Sequence, residues 1–418
     1  MVEGEIIKFY RKKAGLTQEE LGLGICTLSY ISKIERGQSA CSSEIIELLS
    51  ERLHLDIKKE IRRFENLGNQ LYHWHKTIIM RRLKEVDEIN KELEKIPFIN
   101  SSKYAALYQL LQARYYILKM NYKKTYTLLQ YVEKEHPNLP PYEKNLLKHV
   151  WGIYYICNCI SSRTENHQKA IEVLKEIEKD EYGNPEYNYD LAVAYHCIDS
   201  RVMAYAYAEK ALRYFRETNN SLMAITAESL MLLQIGNDIH HNLEELTESY
   251  YNLIHHSELL YATDKKGMLL NNLGFEHFRR KDYAHAHKFY KEALQMTDKS
   301  SVLYLQRLYN YLESGLAGKI MRKSSMLRKA QEGMSLAKKL ENEFYQLVFK
   351  LLILLTENKL NQYYTFIEKD ALPYFQLNNH TIFINKYAKE LYDHYMESEH
   401  YQKAAQISKV LIDPISAS

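Results

Sequence analysis

The sequence predicts an all-α protein, and three observations carry that reading. Across 418 residues there are only 14 glycines and 7 prolines, so few positions interrupt a helix. Alternating apolar and polar runs, the mark of half-buried strands, are hard to find. Beyond residue 100, small or apolar residues recur at offsets 0, +4 and +7, the spacing of one helix face. A hydrophobic share of 46% supports packed cores, and no Pro/Ser/Gly-rich low-complexity stretch occurs. The expected domains are a five-helix head over 1–65, a linker helix with a possible degenerate first repeat over 66–100, and a repeat array over 101–418.

Residues 15–37 of the head read as two short helices joined by a tight turn. Thr17 stands three residues before Glu20, the spacing of a capping box. Leu16, Leu21, Ile25, Ile31 and Ile34 fall on one buried seam, and Gly37 sits where a helix end needs a left-handed residue. Thr27, Ser29, Tyr30 and Lys33 point away from that seam. This is a helix-turn-helix, whose second helix reaches base edges in double-stranded DNA. Gln18, Thr27, Ser29, Tyr30 and Lys33 are expected at the major groove, with Arg11, Lys12 and Arg36 on phosphates. Residues 1–60 hold nine Lys/Arg against ten Asp/Glu, which weighs against strong non-specific affinity. Local basic clusters at Lys8, Arg11, Lys12, Lys13 and at Lys58, Lys59, Arg62, Arg63 matter more than the net charge of +3.

The clearest repeat unit is 267–300, with Leu273-Gly274, Asp282-Tyr283, Ala286, Tyr290 and Ala293. This is the tetratricopeptide (TPR) pattern, in which Gly274 and Ala286 let two helices approach and Tyr290 and Ala293 fill the groove to the next unit. The 0, +4, +7 series starts at Thr125, Ala170, Ala204, Leu246, Ala286, Ala330, Ile367 and Ala404, which makes eight units, and Ala170 and Ala204 stand at the ideal 34-residue period. Such units stack into a right-handed superhelix whose first helices line a concave face. Asparagine amides there can bond both N–H and C=O of an extended guest peptide, which singles out Asn271, Asn272 and Asn310, and Arg114 can meet a peptide carboxylate. The aromatic-rich C-terminal repeats (Tyr363, Tyr364, Tyr374, Phe375, Tyr387, Tyr392, Tyr395) offer a dimer surface, with packing inside the array as the competing reading.

Catalysis finds no support: no phosphate-cradling glycine loop and no nucleophile–base set is present. His240-His241 and His255-His256 are adjacent pairs without partners at i, i+4. Cys157 and Cys159 lack a second pair at zinc spacing, and His285 and His287 flank a packing alanine. No catalytic residue, metal site or cofactor is therefore expected. Five cysteines, an N-terminus without a signal pattern and the absence of a long apolar window point to a reduced, cytoplasmic protein off the membrane.

The head resembles the Xre/Cro-type helix-turn-helix in Gly15-Leu16-Thr17-Gln18-Glu19-Glu20-Leu21 and in Ser29-Tyr30-Ile31-Ser32-Lys33-Ile34-Glu35-Arg36-Gly37. Its shortened connection, Gly24-Ile25-Cys26-Thr27-Leu28-Ser29-Tyr30, is similar to that of the RNPP peptide-pheromone receptors. A head of this kind before a long TPR array resembles the NprR branch most: PlcR-like members carry shorter arrays and Rap proteins lack a DNA-reading head. The resemblance implies a quorum-sensing transcriptional regulator controlled by a short signalling peptide in the concave face, acting as a homodimer or tetramer. The alternative it leaves is a TPR adaptor that inhibits a sporulation phosphorelay response regulator, with DNA binding secondary.

Overall fold

The computed structural model describes residues 2–157, 163–236, 242–378 and 380–412, which are all-α with no strand among them. Cys159 and His240-His241 lie outside the described residues. The head is built of α1 (Val2–Lys13), α2 (Gln18–Gly22), α3 (Leu28–Glu35), α4 (Ser43–Arg52) and the first half of α5 (Ile57–Ile79). Helical hairpins follow. They use α6 (Leu83–Glu94), α7 (Ala105–Leu118), α8 (Tyr122–Glu135), α9 (Pro141–Cys157), α10 (Arg163–Lys175), the short α11 (Lys179–Tyr182) and α12 (Tyr187–Cys197). Next come α13 (Arg201–Glu217), α14 (Ser221–Gly236), α15 (Leu243–Leu259), α16 (Thr263–Arg279), α17 (Tyr283–Gln295) and α18 (Val302–Ala317). The series closes with α19 (Lys323–Lys339), α20 (Glu343–Thr356), α21 (Leu360–Phe366), α22 (Leu372–Leu377), α23 (Thr381–Glu397) and α24 (Tyr401–Ile412); one π turn, Ile367–Ala371, joins α21 to α22.

The chain forms two compact units, one of residues 1–154 with 176–183 and the other of 155–175 with 184–418. In the first, α5 belongs to head and array at once. Ile57, Phe64, Leu67, Leu71, Trp74 and Ile78 form one buried stripe along its 23 residues. Its packing partners run from α1 and α4 to α6 and α7. The boundary expected at residue 65 thus falls inside a continuous helix.

In the second unit the pairs α12/α13, α14/α15, α16/α17, α18/α19 and α23/α24 pack as antiparallel hairpins. The start of every 0, +4, +7 series, in either unit, is at most 1% exposed, and all but Ile367, which opens the π turn, lie on a second helix. A Cβ added at Gly274 would stand 2.8 Å from the Tyr290 ring, so the bare backbone of α16 is what lets α17 close on it. Several tight corners carry a left-handed residue that is not glycine: Met120, Asp199, Tyr261, Lys281 and Glu399. Burial of a whole hairpin face outweighs the roughly 1–2 kcal/mol such a conformation costs.

The C-terminal rings settle into the unit's own core. Tyr363, Phe375, Tyr387 and Tyr395 are buried, and the phenol of Tyr363 donates to Glu390 Oε2 at 2.5 Å. For these four rings packing inside the array, the competing reading, holds, while Tyr364, Tyr374 and Tyr392 stay half-buried.

Candidate functional site

In the head, the capping box forms as expected: Thr17 Oγ1 accepts from the Glu20 amide at 3.1 Å, and Glu20 accepts from the Thr17 amide at 2.6 Å. Leu21, Ile31 and Ile34 are at most 1% exposed, and Gly37 takes φ +70° at the end of α3. Thr27 caps α3 by accepting from the Tyr30 amide at 3.3 Å. Ser29, Lys33 and Arg36 then follow at i, i+4 and i+7, one exposed stripe opposite the buried Ile31 and Ile34. Lys12 and Thr27 are also exposed, and the Tyr30 phenol donates to the Ala40 carbonyl at 2.9 Å, tying the helix to the loop after it. The backbone thus offers a short polar ridge of the size a major groove accepts.

Arg11 departs from the expected phosphate contact. Its Nε and Nη2 donate to the two carboxylate oxygens of Glu35 at 2.5 and 2.9 Å, and Nη1 donates to the Leu16 carbonyl at 2.7 Å. A phosphate would have to compete with that pair, so Arg11 acts as a joint between α1 and α3. Gln18 donates to the same carboxylate at 2.8 Å, which orients its amide at the start of α2. Burial by itself raises the Glu35 pKa, but the Arg11 and Gln18 hydrogen bonds outweigh it and hold the carboxyl below its ordinary range. Sequence reasoning missed Glu35 and also Arg52. The latter's Nη1 donates to the carbonyls of Glu20, Leu21 and Leu23 at 3.0, 3.2 and 2.6 Å and closes the end of α2. Both partners lie far along the chain, where spacing carries no signal.

In the second unit, the asparagines sit half-buried on neighbouring first helices. Asn310 of α18 donates to Asn271 Oδ1 of α16 at 3.0 Å, while Asn272 donates to Ser229 Oγ of α14 at 3.0 Å. Three successive first helices are therefore bridged by amide contacts. Arg114 is different. It lies in the first unit, is 4% exposed, and its Nη1 stands 2.8 Å from His75 Nε2, whose Nδ1 is 2.6 Å from the Tyr142 hydroxyl. That burial removes Arg114 from the surface where a peptide carboxylate was expected to meet it.

A recognition helix with a polar ridge, held on a capped helix-turn-helix and followed by stacked hairpins, defines a DNA-binding transcriptional regulator of the repeat-bearing kind. A helix-turn-helix family matches residues 7–59. The chain is 24% identical to the transcriptional activator NprA of Geobacillus stearothermophilus over 405 residues, 93% of this chain and 97% of that one. The apo form of the quorum sensor NprR from B. thuringiensis superimposes with a TM-score of 0.67 at 20% identity, covering 84% of this chain and 98% of that one. NprR in complex with its cognate peptide NprX gives 0.64 at 19% identity, covering 83% and 98%. These likenesses give the chain the fold of NprR. No helix among the described residues is long and apolar enough to cross a membrane.

Proposed function

We propose that this chain is a cytoplasmic quorum-sensing regulator that binds DNA as a homo-oligomer and is controlled by a short peptide on the first-helix face of its second unit. The amide bridge from Asn271 to Asn310 carries the reading. With Asn310 Nδ2 used on Asn271 Oδ1, the pair still presents an NH₂ group at Asn271 and a carbonyl oxygen at Asn310, a donor and an acceptor for an extended guest backbone. The NprR–NprX complex supports a peptide as the guest. One helix-turn-helix reads a half-site, so two copies about one helical turn apart are the working geometry. A peptide shifts the regulator only by binding its two states with different affinity.

The test pairs DNase footprinting with calorimetry, using peptides encoded beside the gene. Peptide binding that shifts the footprint or the oligomeric state is the expected outcome. The rival, an adaptor that inhibits a response regulator, predicts that head substitutions leave the chain's output intact. A footprint lost in the Ser29→Ala, Lys33→Ala double variant together with unaltered output in cells would favour that rival.

A further inference from the structure

The turn between α16 and α17 gathers three side chains that the sequence separates. His277 Nδ1 and His285 Nδ1 both lie 2.8 Å from Asp282 Oδ2. The ligand atoms of the three residues are all within 4.8 Å of one another. From this geometry we infer that His277, Asp282 and His285 form a binding site for a divalent transition cation of the zinc type.

The chemistry of the set favours such an ion. Two imidazoles and one carboxylate suit zinc, copper and nickel rather than magnesium or calcium, which prefer all-oxygen sites. Zinc–nitrogen and zinc–oxygen bonds of about 2.0–2.2 Å place ligand atoms roughly 3.3–3.5 Å apart in a tetrahedron, so the two contacts open by only about half an ångström. Asp282 divides its oxygens: Oδ1 accepts the His285 amide at 3.3 Å and caps α17, leaving Oδ2 for the ion. The corner itself is held by the left-handed Lys281 and by the Asp282 amide, which donates to the His277 carbonyl at 3.0 Å.

Binding through Nδ1 needs that nitrogen's lone pair on each ring. Each imidazole moves its proton from Nδ1 to Nε2, freeing the Nδ1 lone pair. The Nε2–H of His277 then faces Thr247 Oγ1 of α15, 3.4 Å away, a partner that fixes the tautomer, while His285 turns its Nε2 to solvent. His277 is buried and His285 exposed, so an ion enters from the His285 side. The neighbouring guanidiniums of Arg279 and Arg280 donate to Glu276 Oε2 at 2.6 and 2.9 Å, and that carboxylate offsets part of their charge. The bound ion would staple α16 to α17 and, through Thr247, set both against α15.

The spacing explains why sequence patterns pass over it. The ligands stand at i, i+5 and i+8 across a turn, not at i, i+4 on one helix. The test is calorimetry of zinc chloride into the full chain freed of metal, with cobalt(II) absorption to report coordination and thermal melting to report the staple. One equivalent is expected, with a melting temperature raised by zinc. Affinity should fall more than about tenfold in His285→Ala and in Asp282→Asn, and the His255→Ala, His256→Ala double variant should bind like wild type. His285 is exposed and Asn can still cap a helix, so both variants keep the fold. No binding by wild type, equal binding by His285→Ala, or loss confined to the His255/His256 variant would overturn the site.

Discussion

Arg11 on α1 and Glu35 on α3 form a two-pronged ion pair, with the Arg11 side chain 11% and the Glu35 side chain 1% exposed. A pair so buried is worth little against an apolar substitute for both partners, but breaking it strands a charge at a cost of about 3–5 kcal/mol. Arg11→Met should therefore destabilise the first unit by that order in urea. Tryptophan fluorescence reads it directly, because Trp74 and Trp151 both lie in that unit. A loss of under about 1 kcal/mol would show that the pair holds nothing.

The same pair sets a pH dependence. Glu35 is held below its ordinary value of 4.5, so its stabilisation is full above that value and is lost as pH falls through the lower folded one. In Arg11→Met burial, the Gln18 bond and the weaker pull of the Lys8 charge remain, and burial, the largest influence, raises the pKa. The variant should then gain stability relative to wild type on acidification. Parallel urea curves from neutral pH to mild acid measure the sign.

On the exposed ridge of α3, Ser29→Ala with Lys33→Ala should flatten sequence preference, since each good base contact discriminates by about 1–3 kcal/mol. Arg36→Ala should instead weaken every sequence alike and reduce the salt slope by about 1. Binding curves at several salt concentrations, on operator and scrambled DNA, separate the two effects. An unchanged footprint for the double variant would remove α3 from the interface.

At Gly274 two effects oppose each other. Alanine in a helix interior gains about 0.5–1 kcal/mol over glycine, but overpacking typically costs 1–3 kcal/mol. The new methyl would press on a Tyr290 ring that is itself 3% exposed and has nowhere to go. Gly274→Ala should be destabilising, and Tyr290→Leu should relieve part of the strain; thermal melts of the single and double variants test both.

What was legible in the sequence is what spacing encodes. The second-helix register from Thr125 to Ala404 and the capping box at Thr17 and Glu20 came from residues a few positions apart, and each is in place. What escaped depends on distant partners or on turns. Arg11 meets Glu35 at a separation of 24 residues, Arg114 meets His75 at 39, and both looked like free cations in the sequence. The corner residues Lys281 and Tyr261 are left-handed without being glycine or asparagine, so no breaker marks them. Aromatic richness near the C-terminus told of burial, but not that one chain would supply both sides.

The Asn271–Asn310 bridge makes the last prediction one of coupling. If each amide bonded a guest peptide independently, the costs of Asn271→Ala and Asn310→Ala would add. Here the Asn310 NH₂ group holds Asn271 Oδ1, at 3.0 Å, so either truncation also frees the other amide to rotate. The first substitution should therefore cost most of the peptide affinity the pair supplies, and the second little more. A tenfold loss corresponds to about 1.4 kcal/mol, which one or two such contacts supply. The double-mutant cycle should show an interaction energy of about 0.5–3 kcal/mol, as for residues within one hydrogen-bond network. Calorimetry on wild type, both single variants and the double variant measures it. Strict additivity would mean that the two amides do not act as one clamp, and wild-type affinity in all three variants would move the peptide off this face.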